Sequence, residues 1–135
     1  MENKDNRTVL FSLGGMLFEY DEIKNQRNIK VHGISFQSAA RVFFDYDRIE
    51  FYDEENSENE DRYDTIGDIS AISADDHKQK HETMIGNVSK FGKEEDIIFV
   101  VYTERHRISG KGEVIRLISA RYATNFERGL YYGKW

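Results

Sequence analysis

The chain has 135 residues, 39% of them apolar and 33% charged, with no cysteine and no proline. That length supports one domain around one modest core, and the absence of cysteine excludes disulfides, thiolate metal sites and thiol nucleophiles. The formal net charge of −6 counts against a broadly electropositive nucleic-acid binder, and no apolar run reaches membrane-spanning length, so a cytoplasmic setting is expected.

The charge is uneven. From Glu50 to Asp68 nine acids face one base, Arg62, whereas from Asp96 to Trp135 seven Lys and Arg residues face four acids. The second region can meet an anionic ligand despite the overall sign.

Residues 1–15 read as an N-terminal extension, polar and then briefly apolar, ending at Gly14-Gly15. They are either an added strand or the product of a start codon assigned too early, and their removal is expected to leave folding unchanged. Met16 opens a single domain expected over 16–135. "MLFEY" (Met16–Tyr20) is a short strand. Asp21 caps a helix from Glu22 to about Val31, and Gly33 suits the left-handed position behind it. Ser35 caps a second helix, Phe36–Phe44, with Phe36, Ala39, Ala40 and Phe43 on one face.

"RIEFYDE" (Arg48–Glu54) and "RYDTIGDIS" (Arg62–Ser70) read as strands around a solvated turn, Asn56–Asp61. The polar, aperiodic stretch at about 71–95 reads as an insertion or long loop. "DIIFVVYTE" (Asp96–Glu104) is a continuous apolar run, as in a central strand covered on both faces. "RHRISGKG" (Arg105–Gly112) is a basic hairpin tip, "EVIRLISAR" (Glu113–Arg121) the last strand, and "TNFE" (Thr124–Glu127) a capping box opening a helix with Leu130, Tyr131 and Tyr132. The order predicts an α+β domain, a four- to five-stranded largely antiparallel sheet with helices packed on one face.

Two arginines sit inside the last strand. Strict alternation puts Val114, Arg116, Ile118 and Ala120 on one face, and Ile115, Leu117, Ser119 and Arg121 on the other. The expectation is therefore two different jobs: Arg116 on an open face gripping phosphate, and Arg121 in a structural ion pair with Glu127 or an acid of the Glu50–Asp68 stretch.

"FEYDEIKNQRNIKVHGISFQSAARVFFD" (Phe18–Asp45), "DRYDTIG" (Asp61–Gly67), "VVYTER" (Val100–Arg105) and "VIRLISARYATNFERGLYY" (Val114–Tyr132) together resemble the BrnT family of toxins from bacterial type II toxin–antitoxin systems. The resemblance covers Phe18–Tyr132 apart from the insertion. It implies a RelE-like fold, endoribonuclease activity, and neutralisation by a ribbon-helix-helix antitoxin (BrnA-like) through which alone the complex contacts operator DNA. Two positions depart from the family pattern: Tyr20 stands for its usual Trp and Val31 for the Lys before its His-Gly pair.

RNA can be cut without a metal, its own 2′-hydroxyl attacking phosphorus while protein groups move protons and offset charge. The candidates for these roles are His32, Lys24, Arg62, Arg105 and Arg116, with Lys30, Arg107, Lys111 and Tyr102 contacting RNA; Tyr122 and Tyr131 are further stacking candidates. Each has a plainer reading: a helix-end histidine, solvated lysines, Arg62 paired with Glu60, Asp64 or Glu50, and packed tyrosines. His77 and His81, with Asp75 and Asp76, have the spacing of a helical zinc pair but lack an assigned third ligand, so no metal or other cofactor is expected. The alternative to an active ribonuclease is a catalytically weakened antitoxin-binding or regulatory module of the same fold; a third reading is an acidic scaffold whose arginines only pair.

Overall fold

The computed structural model describes residues 7–70, 96–106 and 112–133. In chain order its elements are β1 (Thr8–Leu13), β2 (Met16–Asp21), α1 (Glu22–His32), α2 (Phe36–Ala39), a 3-10 turn (Ala40–Phe44), β3 (Ile49–Tyr52), a second 3-10 turn (Glu54–Asn56), β4 (Tyr63–Asp68), β5 (Ile97–His106), β6 (Glu113–Tyr122) and α3 (Asn125–Tyr132).

The strands form one sheet in the order β1-β2-β6-β5-β4-β3. Its neighbours are antiparallel except β2 and β6, which run parallel. Six strands replace the four or five expected, because Thr8–Leu13 pairs with β2 along its whole length. The turn between them is Gly14-Gly15, with φ of 56° and 84°. Positive φ at both positions is what a two-residue hairpin turn requires, and glycine meets it without strain.

The first face of the sheet carries Phe18, Tyr20, Val100, Tyr102, Leu117 and Ala120, packed against Ile34 between α1 and α2, Phe36 of α2, and Val42 and Phe43 of the 3-10 turn. Phe11 of β1 joins this core, its ring stacked on Phe18 at 5.2 Å. Asp21 caps α1 by accepting from the Ile23 and Lys24 amides, Gly33 closes it at φ 77°, and Ser35 caps α2. The second helix is α-helical only to Ala39 and then tightens into the 3-10 turn.

The expectation of helices on one face is corrected. α3 packs on the second face, where Leu130 and Tyr131 meet Ile66, Ile97, Ala123, Ile49 and Phe99. Val101 of β5 opposes Ser119 of β6, but the next residue, Tyr102, opposes Leu117, so Ile118 has no partner in β5. This β-bulge shifts the alternation by one residue. Ile115, Leu117 and Ala120 belong to the first-face core; Arg116 opposes Thr103 and Arg121 opposes Phe99, both on the second face. The two arginines thus share a face, against the alternation read from the sequence.

The insertion with His77 and His81, and the tip residues Arg107 and Lys111, lie outside the described residues.

Candidate active site

The parallel pairing of β2 with β6 sets Glu19 beside Arg116. The Arg116 Nη1 donates to Glu19 Oε2 at 2.9 Å, with both side chains largely covered. Arg105 reaches the same carboxylate at 4.0 Å and donates to Glu60 at 3.2 Å, and Arg62 lies 3.4 Å from the other Glu60 oxygen. Three guanidinium groups are therefore strung on two carboxylates. Lys24, in the first turn of α1, joins them: Asp21, Lys24, Glu60, Arg62, Arg105, Arg116 and Ile118 line one pocket of ≈ 160 Å³. The structure brings together four of the cations expected from the sequence.

The other candidates are elsewhere. His32 and Lys30 lie exposed in the last turn of α1, roughly 12 Å and 9 Å respectively along the helix from Lys24 at about 1.5 Å per residue. Neither lines the pocket. Val31 beside them is 66% exposed. Tyr102 is 4% exposed and lies on the first face, edge-on to Phe43 at 4.9 Å, so its ring is not open to a base. Tyr131 is spent on structure, its hydroxyl donating to Asp45 at 2.6 Å. Tyr122 is exposed.

Arg121 does what its neighbourhood allows. Its Nη1 and Nη2 donate to the two Glu127 oxygens at 2.8 and 3.0 Å, and its guanidinium lies 4.3 Å from the Phe99 ring centroid. Glu127 also closes the capping box with Thr124. Burial alone would raise the Glu127 carboxyl, but the bonds from Arg121 and Thr124 outweigh it and hold it below the usual range.

Sequence reasoning missed Glu19, whose neighbour comes from 97 positions away, whereas Glu60 was named as a partner of Arg62 and is one. Asp64 was named only as another partner for Arg62, and its burial was not foreseen. It stands 6% exposed in mid-β4, opposite Val101, and its Oδ1 is buried with no partner among the described residues. Burial, then the hydrogen bond to Asp53 and the Asp53 charge, push its carboxyl up to about 7. A protonated Asp64 donates to Asp53, which also accepts from Asn56.

Among the described residues no group of His, Cys, Asp and Glu is arranged to hold a metal ion, and no helix is long and apolar enough to cross a membrane.

Residues 20–74 match the family model described as ribonuclease toxin, BrnT, of type II toxin–antitoxin system, which bears out the resemblance read from the sequence. No curated protein matches the chain. The matched stretch contributes Asp21, Lys24, Glu60 and Arg62 to the pocket; Arg105 and Arg116 come from outside it.

Proposed function

We propose, from the BrnT match as premise, that this chain is the ribonuclease toxin of a type II toxin–antitoxin pair and that it cuts RNA at the four-cation pocket without a metal. The carrying observation is the convergence of Lys24, Arg62, Arg105 and Arg116 on one small concavity. Three guanidinium forks can hold the two free oxygens of a phosphodiester and offset charge that grows in the phosphorane.

In the resting protein Glu19 and Glu60 occupy these forks. A phosphate takes their place, and Arg62 Nε, buried without a partner among the described residues, gains an acceptor when its side chain reorients. The displaced Glu60 carboxylate is then the nearby base for the 2′-hydroxyl proton. The 2′-oxygen bonds to phosphorus, the bond to the 5′-oxygen breaks, and the Lys24 ammonium supplies the proton to that leaving oxygen. The products are a 2′,3′-cyclic phosphate and a 5′-hydroxyl. His32 contributes only where RNA runs along α1 past Lys30, and the antitoxin of this reading is the ribbon-helix-helix protein that the resemblance implies.

The weakened-module reading has one observation in its favour: every guanidinium of the pocket already has a carboxylate partner. Incubating the purified chain with RNA in excess chelator separates the two. Cyclic-phosphate ends support the ribonuclease; intact RNA supports the module; cleavage that requires magnesium or zinc removes the metal-free scheme.

A further inference from the structure

The turn between β3 and β4 is built around one carboxylate. Asp53, buried, caps the second 3-10 turn: its Oδ1 accepts from the Asn56 N–H at 3.2 Å and its Oδ2 from the Asn56 side-chain amide at 2.9 Å. Its main chain holds Arg62. The Asp53 N–H donates to the Arg62 carbonyl at 2.9 Å, and the Arg62 N–H donates at 2.9 Å to Ser57 Oγ, which donates to the Asp53 carbonyl at 2.6 Å. The Asp53 carboxylate is also in hydrogen-bond contact with Asp64, and the Arg62 charge acts on it. Arg62 and Asp64 stand two positions apart and so share a face of the sheet. Two buried carboxylates in contact keep one proton between them, because ionising both is costly. The proton belongs to Asp64: Asn56 donates to Asp53, whereas Asp64 Oδ1 is buried and receives no hydrogen bond from any described residue. Burial, the bond to Asp53 and the Asp53 charge push the Asp64 carboxyl up to about 7; Arg121 of β6 and Glu127 of α3 are the other charges that face it. Arg62 is loosely held by comparison. Its Nε is buried without an acceptor among the described residues, and its Nη2 reaches Glu60 only at 3.4 Å.

We propose that Asp53 and Asp64 are positioning residues for Arg62: their shared proton holds the pair at a single negative charge and leaves the guanidinium free to turn toward a phosphate in the cation pocket. The assignment rests on the ribonuclease reading above. With the proton gone, two adjacent carboxylate charges act on the Arg62 side chain and offer its Nε the acceptor it lacks. Arg62 then turns away from the pocket, and a phosphate there keeps only Lys24, Arg105 and Arg116. Linkage makes the effect reciprocal: phosphate in the pocket raises the affinity of Asp64 for its proton. Neither carboxylate touches the RNA; both act through the turn and through Arg62.

The test has two readouts on the full chain. NMR follows the Arg62 Nε–H with pH in the free protein, and an RNA hexamer 2′-O-methylated at every position, which has no attacking hydroxyl and is not cut, is titrated at pH 6 and pH 8. The Arg62 Nε–H resonance should move with a midpoint of about 7. It should stay fixed in Asp64→Asn, whose amide still donates to Asp53 but does not ionise. The hexamer should bind about fivefold more weakly at pH 8 than at pH 6, the span expected where binding raises the Asp64 pKa by about one unit. Asp64→Asn should bind at both pH values as the unsubstituted chain binds at pH 6. This comparison separates the pair from the histidines, which keep their own response in both proteins. A pH dependence of binding that survives Asp64→Asn would belong to a histidine and would overturn the proposal, as would an Arg62 resonance indifferent to pH. A hexamer that binds no form at either pH would sink the RNA reading, and the Arg62 resonance then decides the coupling alone.

Discussion

Asn28 of α1 hydrogen-bonds both main-chain groups of Ala120 in β6, its amide nitrogen donating to the carbonyl at 2.8 Å and its amide oxygen accepting from the N–H at 3.2 Å. The side-chain amide stands in for a neighbouring strand. β2 pairs with β6 only around Ile115 and Arg116, so beyond them the edge of β6 has no ladder on that side. Asn28 also donates to the Ile34 carbonyl at 2.9 Å. A helix whose buried residues are Asn25 and Asn28 is thus docked by hydrogen bonds more than by an apolar stripe.

Asn28→Ala should therefore be costly. It leaves three buried main-chain groups without partners, and about 3 kcal/mol of lost stability is expected. Asn28→Asp should be no better, because a carboxylate keeps the acceptor but faces two carbonyls. Urea unfolding checks both; a loss below about 0.5 kcal/mol for Asn28→Ala would show that water replaces the amide.

Arg116 and Arg121 share a face but should separate under substitution. Arg116→Ala is expected to abolish RNA cleavage with a small change in melting temperature, since its partner Glu19 still has Arg105 at 4.0 Å. Arg116→Lys should also be impaired, because an ammonium lacks the guanidinium fork. Arg121→Ala should lower stability by about 2 kcal/mol, removing the Glu127 pair and the Phe99 contact. Cleavage assays beside thermal melts decide it. Loss of fold in Arg116→Ala with an intact Arg121→Ala would reverse the two roles.

Asp64 gives the protein a pH dependence of definite sign. Its folded pKa of about 7 lies above the unfolded value, about 3.9. Between these values the native state holds a proton that the unfolded chain has released, so this group's contribution falls as pH rises through the window. Asp53, Arg121 and Glu127 are the charged groups acting on it. Asp64→Asn keeps a donor toward Asp53 without the ionisation. It should stabilise the protein by about 1–2 kcal/mol at pH 8, after allowance for solvent screening, and by little at pH 4.5. Equal effects at the two pH values would show that Asp64 does not carry the proton.

Removing residues 1–13 should destabilise the fold, contrary to the reading of residues 1–15 as dispensable. β1 pairs with β2 over six positions, and Phe11 rests against both Phe18 and Tyr20. Phe11→Ala alone is expected to cost about 2 kcal/mol for a half-buried ring. Denaturation midpoints unchanged by the deletion would restore the earlier view.

Local chemistry made much of this legible. Caps at Asp21, Ser35 and Thr124, the glycine at 33 and the apolar run of β5 each act through neighbours in the sequence, and each was read correctly. The Arg62–Glu60 and Arg121–Glu127 pairs were within reach for the same reason. The bulge at Ile118 was not, because nothing in "VIRLISAR" distinguishes a strand that skips one residue from one that does not, and that single skip decides which face Arg121 takes. Nor did composition separate Tyr102 from an exposed tyrosine; its burial depends on Phe43 arriving from another element.

The parallel union of β2 with β6 has a consequence in time. The Glu19–Arg116 bond joins residues 97 positions apart, and β6 is the strand that connects the β1–β2 hairpin to the rest of the sheet. A contact of such high sequence separation carries a large loop-closure cost and forms late. On the ribosome, the chain emerges from its N-terminus, so β2 waits for its neighbour until almost the whole sheet has been translated. Nascent and prematurely terminated chains that lack β6 have neither Arg116 nor the strand that brings Lys24 to face Arg62 and Arg105. The cation pocket is therefore absent from the polypeptide while it is being made, and synthesis of the chain is separated from assembly of its pocket.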